Sequence, residues 1–350
     1  MYDVAIIGAG PAGVFLAKHL DKEFRVIVID KKHSQGKEGF HKPCGGLLAP
    51  DAQKSLSRFD LTLQKDILVS PQIFSVRTID IKQKLMRYYQ RYYINLDRHK
   101  FDQWLIKQIP KNVEVHENAN CVSIEKIVGG YQLTYYEEGV QHSINTKYLV
   151  GADGAASVVR RTLFKEFRIH TYLSIQEWYP DVHEKPFYSC IFDSDITDSY
   201  AWGLSKDNEF IFGGAFPIKT AKEDFQKLKK KVAQYGFHLE NPQKTEACLV
   251  LRPQGFWNYC CGGQGAFLVG EAAGFISPSS LEGISYAIDS GWLLAKCLNQ
   301  KTKNPNKVYQ KATRKIRLKL FLKTIKRPFM YQPFIRKTLM KVGISAISKN

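Results

Sequence analysis

The chain has 350 residues, 44% of them apolar and 24% charged, and a net charge of +18. That length and balance describe a globular chain able to bury a substantial core, in two domains or one large composite. Its seven cysteines are scattered, odd in number and without a CxxC pair, which excludes a disulfide framework and a zinc ribbon and points to a reducing compartment. Cys260 and Cys261 therefore read as small packed residues, and no metal is expected. The apolar start runs directly into a glycine loop, unlike a signal peptide. No apolar run approaches the roughly 20 residues of a membrane span. The expectation is a cytoplasmic chain.

The first element is "YDVAII" (2–7), a short run of branched residues that reads as a buried strand. "GAGPAG" follows at once, and "VFLAKHL" has helical spacing. "FRVIVID" then reads as a second strand ending on Asp30. In this strand–helix–strand setting a GxGxxG is a dinucleotide fingerprint. Gly8 permits the tight turn, Gly10 lets backbone approach a diphosphate, and Gly13 allows close helix–strand packing. The diphosphate would meet free amides at the helix N-terminus. An acid in the place of Asp30 suits the ribose hydroxyls of an adenosine.

Next comes "KPCGGLL" (42–48), a thiol on a glycine turn with no histidine or second cysteine spaced to share a metal. "YLVGADGAASVVRR" (148–161) reads as a strand, a turn through Asp153 and Gly154, and a helix start. Stretches such as "YSCIFD", "YAWGLS" and "ACLVLRP" alternate like antiparallel strands. They are dense in aromatics, which suits an apolar, elongated ligand. Most of these rings belong to sheet core, and Tyr200 and Trp202 are the ones expected near a substrate. "EDFQKLKKKVAQYG" (223–236) reads as a surface helix whose lysines are not catalytic.

"GAFLVGEAAGFISPSSLEGISYAIDSG" (265–291) is again strand, small-residue turn and helix. Glu271 can hydrogen-bond a polyol, while Gly274 and Gly283 keep backbone close to a flat ring. The amides after Gly283 can stabilise negative charge on the ring's pyrimidine side. A ribityl chain and an isoalloxazine need these features and a nicotinamide nucleotide does not, so the expected cofactor is FAD.

The tail is the basic part of the chain. Residues 311–350 carry eight lysines, four arginines and no acid. From Ala312 to Phe329 the apolar Leu318, Phe321, Leu322, Ile325 and Phe329 recur with helical spacing, flanked by Lys315, Lys319, Lys323 and Lys326. That stripe either docks on the protein itself, leaving a solvated charged face, or lies at an anionic membrane. Nucleic acid is not an expected partner, because no binding module accompanies the charge.

The stretches at 2–30, 94–105 ("INLDRHKFDQWL"), 148–161 and 265–291 resemble, in that order, the FAD-dependent oxidoreductases with a p-hydroxybenzoate-hydroxylase-like fold. The resemblance implies an α/β fold with a Rossmann-like FAD-binding domain interleaved with an antiparallel-sheet substrate domain, plus a C-terminal helical segment. The expected bounds are 1–58, 97–163 and 262–300 for the first, 59–96 and 164–261 for the second, and 301–350 for the basic helical segment. The cofactor contacts it implies are Gly8, Gly10, Pro11, Ala12, Gly13, Asp30, Lys31, Cys44, Gly45, Gly46, Arg98, Val122, Asp153, Gly154, Gly270, Glu271, Gly274, Gly283 and Ile284. One departure is Glu271, where the family usually has aspartate.

Within that superfamily, "KPCGGLLAP" resembles the cysteine–glycine signature of the geranylgeranyl reductase branch. Residues 187–217 resemble its tyrosine–tryptophan signature, with Tyr200 and Trp202 in the matching places and "GLS" altering its end. The resemblance implies that Gly45 and Gly46 pass close to the flavin ring and that Cys44 faces the substrate cavity. There Cys44 acts as a small wall for an alkene, a proton donor or a redox partner; the plain alternative is that it only fills a small space in the turn. The expected catalytic residues are Cys44, Tyr200 and Trp202. The implied reaction is reduction of carbon–carbon double bonds in a hydrophobic polyprenyl lipid, with protons from Cys44, a tyrosine or water. A flavin-dependent monooxygenase and a non-catalytic flavoprotein that binds a lipid or partner are the alternatives, and a halogenase is disfavoured because the chain has no tryptophan-x-tryptophan pair. An electron donor completes the implied partners, with no second dinucleotide motif to mark it. A lipid substrate would favour a peripheral position at the inner face of the cytoplasmic membrane.

Overall fold

Runs of branched apolar residues build the first of two sheets. The computed structural model describes residues 1–32, 42–183, 188–343 and 346–347; Phe187, the first residue of the tyrosine–tryptophan stretch, lies outside them. Strand Tyr2–Ile7 pairs in parallel with Val26–Ile29 on one side and with the end of Val140–Gly151 on the other. Glu114–His116 extends the sheet past Val26–Ile29, and Ala266–Leu268 extends it past Val140–Gly151, both in parallel. Val4, Ala5, Ile6, Ile27 and Val28 have no solvent exposure, as a parallel sheet covered on both faces demands. An antiparallel ribbon of Ala119–Ile127 and Gly130–Glu137 runs onto Val140–Gly151. Helix Pro11–His19 starts on a proline, which has no N–H to lose at that position. Helix Ile284–Asn299 packs on it so closely that a Cβ at Gly291 would lie 2.2 Å from the Ala12 carbonyl oxygen.

The second sheet has eight strands in the order Lys244–Leu251, Thr171–Pro180, Glu209–Pro217, Ala201–Lys206, Tyr188–Phe192, Ile73–Asp80, Leu85–Asn95, Leu47–Leu48. The pairings of Glu209–Pro217 with Thr171–Pro180 and Ala201–Lys206 are antiparallel, and Tyr188–Phe192 meets Ile73–Asp80 in parallel. One face buries Phe210, Phe212 and Phe216 against Phe225, Leu228 and Val232 of helix Ala221–Val232. Because side chains alternate across a strand, the opposite face carries Trp202, Leu204 and Lys206. Lys229 of that helix pairs with the buried carboxylate of Glu177 at 2.7 Å.

The chain divides into two compact units, Met1–His41, His99–His170 and Leu251–Thr324 for one, and Lys42–Arg98, Thr171–Val250 and Ile325–Asn350 for the other. These bounds move residues 97–98 into the second unit and 164–170 into the first, and make three larger corrections to the expected ones. Residues 42–58 belong with the antiparallel sheet, because Leu47 and Leu48 pair with Asn95 and Ile94. Residues 251–261 belong with the parallel sheet, where Cys260 and Cys261 are buried in its core. The basic tail is not a separate segment. Tyr309 of helix Pro305–Ala312 is fully buried and donates to the Leu268 carbonyl at 3.1 Å in the first unit. Helix Pro333–Val342 is fixed in the second by Arg336, whose Nε donates to Asp80 Oδ2 at 2.6 Å.

Helix Arg314–Tyr331 also corrects the sequence pattern. Its buried residues are Ile316 and Leu320, four apart, whereas Leu318, Leu322, Ile325 and Phe329 of the expected stripe are exposed. Phe321 of the stripe is half-buried, its ring 6.0 Å from that of Phe256, so the stripe docks there and is exposed at its other four positions. Among the described residues, no helix is long and apolar enough to cross a membrane.

Candidate active site

Three backbone segments of the first unit touch at the glycine loop. Gly8 has φ +106°, and a Cβ there would lie 2.6 Å from the Ala152 carbonyl oxygen. At Gly13 a Cβ would lie 1.9 Å from the Gly8 oxygen. Only hydrogen fits at either place. Gly10 is different: a Cβ there would meet nothing within 4 Å, so the backbone opening helix Pro11–His19 borders free space. Backbone amides at a helix start beside open space suit a diphosphate.

Asp30 is buried, and its carboxylate accepts N–H groups from Ala9 at 2.8 Å and Lys32 at 3.0 Å. It therefore clamps the glycine loop as well as standing where a ribose acceptor is expected. Lys32 lies 3.7 Å from Asp30 and 3.2 Å from Asp102 of helix Arg98–Ile106. The sequence reading overlooked both Lys32 and Asp102, although Asp102 lies within the quoted stretch at 94–105. Lys31 is exposed, Pro11 and Ala12 are buried in the first helical turn, and Arg98 is the half-buried residue that opens its helix.

The second motif turns at Asp153–Gly154. Asp153 Oδ2 accepts the Val158 N–H at 2.7 Å, while its buried Oδ1 has no hydrogen-bond partner among the described residues. Burial raises the Asp153 carboxyl above the ordinary carboxylate range. The nearby Cys121 thiol is pushed up to about 12, chiefly by burial and then by the Asp153 charge. Val122 is exposed, at an irregularity in the ribbon between Cys121 and Ser123. In the third motif, Glu271 Oε1 accepts the Leu251 N–H at 3.0 Å and Gly270 donates to Ser290 Oγ at 2.8 Å. Gly274 donates to the Glu271 carbonyl, and Gly283 precedes Ile284, the first residue of its helix. Arg160 stitches the second motif to the third, donating from Nη1 to Ala272 O at 2.7 Å and from Nη2 to Ala155 O. Burial lowers its pKa, while the charges of Asp153 and Glu271 act the other way. The space at Gly10 and the orphaned oxygen of Asp153 together fit a flavin dinucleotide, and these residues would hold it.

Cys44, Gly45, Gly46, Tyr200 and Trp202 lie in the second unit, and the structure brings them together there. A Cβ on Gly45 would stand 3.5 Å from Leu204 and 4.0 Å from Trp202 Nε1. Trp202 Nε1 is a buried donor without a partner among the described residues. The Tyr200 and Trp202 rings are 5.8 Å apart, and the Tyr93 and Tyr188 rings 5.5 Å. The Tyr188 and Tyr200 hydroxyls are hydrogen-bonded to each other, and burial raises both well above the ordinary phenol value. Burial likewise takes the Cys190 thiol, opposite Trp202 in register, to about 12. Cys44 Sγ accepts the Gly46 N–H at 3.4 Å.

Lys206 is the main residue that sequence reasoning missed. Its buried Nζ donates to Asn95 Oδ1 at 2.7 Å and to the Leu96 carbonyl at 2.6 Å. A Cβ on Gly46, which has φ +61°, would lie 2.8 Å from that nitrogen and 2.3 Å from Leu96 O. The Cys44 turn is therefore laid directly over a buried ammonium. Burial lowers the Lys206 pKa to about 8, with the charges of Cys44, Asp97 and Asp207 pulling upward. The only sequence signal was its position, two residues beyond Leu204 on the face that carries Trp202.

The family model of the pyridine nucleotide-disulphide oxidoreductases matches residues 2–169. A geranylgeranyl bacteriochlorophyll reductase-like protein from Thermoplasma acidophilum shares the fold with a TM-score of 0.79 at 18% identity, over 98% of this chain and 91% of that one. The p-nitrophenol 4-monooxygenase of Pseudomonas putida does so with a TM-score of 0.70 at 16% identity, over 98% and 92%. The fold is thus the one shared with these two structures, and the cradle at Gly10 suits a dinucleotide. The CbrA protein of Escherichia coli K12 is 49% identical over 346 residues, 99% of this chain and 98% of its own. CbrA of Shigella sonnei matches to the same extent. The chain belongs to the CbrA family.

Two substitutions separate cradle from packing. Gly10→Ala should leave the melting temperature of the flavin-free protein unchanged and weaken FAD retention about tenfold or more, because its methyl enters ligand space. Gly13→Ala should destabilise by about 1–3 kcal/mol through overpacking. Equal effects on stability from the two variants would contradict this assignment; bound-flavin absorbance and thermal melting are the readouts. Lys206 makes a separate prediction. Its folded pKa lies below the roughly 10.4 of an unfolded lysine. Between those values the unfolded chain holds more protons, so stability rises with pH. Wild-type stability minus that of Lys206→Met, from urea unfolding, should climb by about 2 kcal/mol between about pH 7 and about pH 10. A flat difference would show Lys206 to be an ordinary lysine.

Proposed function

We propose that this chain is an FAD-dependent reductase acting on carbon–carbon double bonds of a polyprenyl lipid. The observation that supports it most is the contact of the cysteine–glycine turn with Trp202 and Lys206 on one sheet face. Two stretches remote in sequence, each resembling a geranylgeranyl reductase signature, meet there. The fold shared with the Thermoplasma reductase-like protein adds support. FAD, when bound and reduced, would supply the hydride for one alkene carbon. The rings of Tyr93, Tyr188, Tyr200 and Trp202 form an apolar wall that orients a long hydrocarbon and excludes water. The Tyr188–Tyr200 pair keeps its protons at neutral pH because burial disfavours a phenolate. Cys44 or that pair would give the proton to the second alkene carbon, and Lys206 fixes the turn from which the thiol acts. The free Trp202 N–H is available to a polar group of the ligand.

The test is a reoxidation assay on the FAD-loaded protein, reduced without oxygen and mixed with polyprenyl diphosphates. The reading predicts rapid flavin reoxidation with a product heavier by two hydrogens, slowed at least about tenfold in Cys44→Ala or Tyr200→Phe. A product heavier by one oxygen atom, formed only in air, would put the monooxygenase in its place. Failure of every polyprenyl compound to reoxidise the flavin would leave a flavoprotein that binds without turnover.

A further inference from the structure

The end of the second unit is built inside out. Arg336 is only 5% exposed, with its guanidinium 4.7 Å from the Phe192 ring centroid and its Nε on the buried Asp80 carboxylate. On the same ten-residue helix, Pro333–Val342, Phe334 is 79% exposed and Val342 67% exposed. Arg336 and Met340, four residues apart, face the protein; Phe334, Thr338, Lys341 and Val342 turn the other way. A cation inside and a phenyl ring outside is the reverse of what water selects.

We propose that this face, together with the exposed Ile325 and Phe329 of the preceding helix, docks on an anionic lipid bilayer. The helix is tied down by a polar anchor, the Arg336–Asp80 pair, and by Arg336 Nη1 donating to the Met330 carbonyl at 2.7 Å. Its apolar side chains are therefore left for another phase. Lys326, Lys337 and Lys341 stand among them, and residues 311–350 contain no acid at all. Basic residues interleaved with exposed aromatic and branched ones suit a headgroup–acyl boundary. There the rings enter the interface and the ammonium groups meet lipid phosphates. A nucleic acid would reward the lysines but not Phe334 or Val342. No described helix can span a bilayer, so the contact is in the plane of the surface. The inference stands whatever the substrate is.

The experiment is sedimentation of the full-length protein with vesicles of phosphatidylcholine alone, or containing about one third phosphatidylglycerol. Binding to the anionic vesicles, weakened by salt and absent on the neutral ones, is expected. Phe334→Ser/Val342→Ser and Lys337→Glu/Lys341→Glu should each lower partitioning by about tenfold or more, with melting temperatures unchanged. Lack of wild-type binding, equal binding to both vesicles, or binding unaltered in the two double variants overturns the proposal. So does capture of a duplex oligonucleotide that depends on the lysines and not on Phe334 and Val342, which would assign the face to nucleic acid.

Discussion

Where Gly8, Gly13 and Ala152 meet, backbone lies on backbone with no room for a single carbon. That contact brings the ends of strands Tyr2–Ile7 and Val140–Gly151 against the first turn of helix Pro11–His19. Asp30 then holds the loop by the Ala9 amide, and Ala152 donates to the Ile7 carbonyl. What remains open is the space at Gly10. The dinucleotide cradle is thus bordered by packing too tight for a side chain at Gly8 and Gly13, with space left open at Gly10.

A second constraint governs the other sheet. A charged nitrogen buried under the Cys44 turn is unfavourable unless its hydrogen bonds are met, and Lys206 meets them with Asn95 and Leu96. The Leu96 carbonyl oxygen and that nitrogen together leave no space for a side chain at residue 46. The C-terminal helix reaches this sheet at Phe192, whose ring lies 6.3 Å from that of Tyr200. The proposed bilayer face and the aromatic wall therefore belong to one unit.

Much of the fold could be read from local pattern. The glycine spacing, the branched strands and the Asp153–Gly154 turn each specify their conformation within a few residues, so their elements fell where expected. The cysteine–glycine turn and the Tyr200–Trp202 stretch could also be read singly. Their meeting could not, because it depends on strand order. Lys206 escaped because a lysine at a strand end usually reaches solvent. The domain bound before residue 59 failed because a two-residue strand, Leu47–Leu48, has no periodicity to detect. The tail stripe was visible as a pattern, but period alone cannot say which of two apolar faces is covered; Ile316 and Leu320 were covered.

The cradle bears directly on the cofactor. The protein should be purified, its absorbance recorded, and the released small molecule identified by mass after unfolding. A yellow protein yielding one FAD per chain is the predicted result. A colourless protein that takes up no FAD on titration would contradict the account.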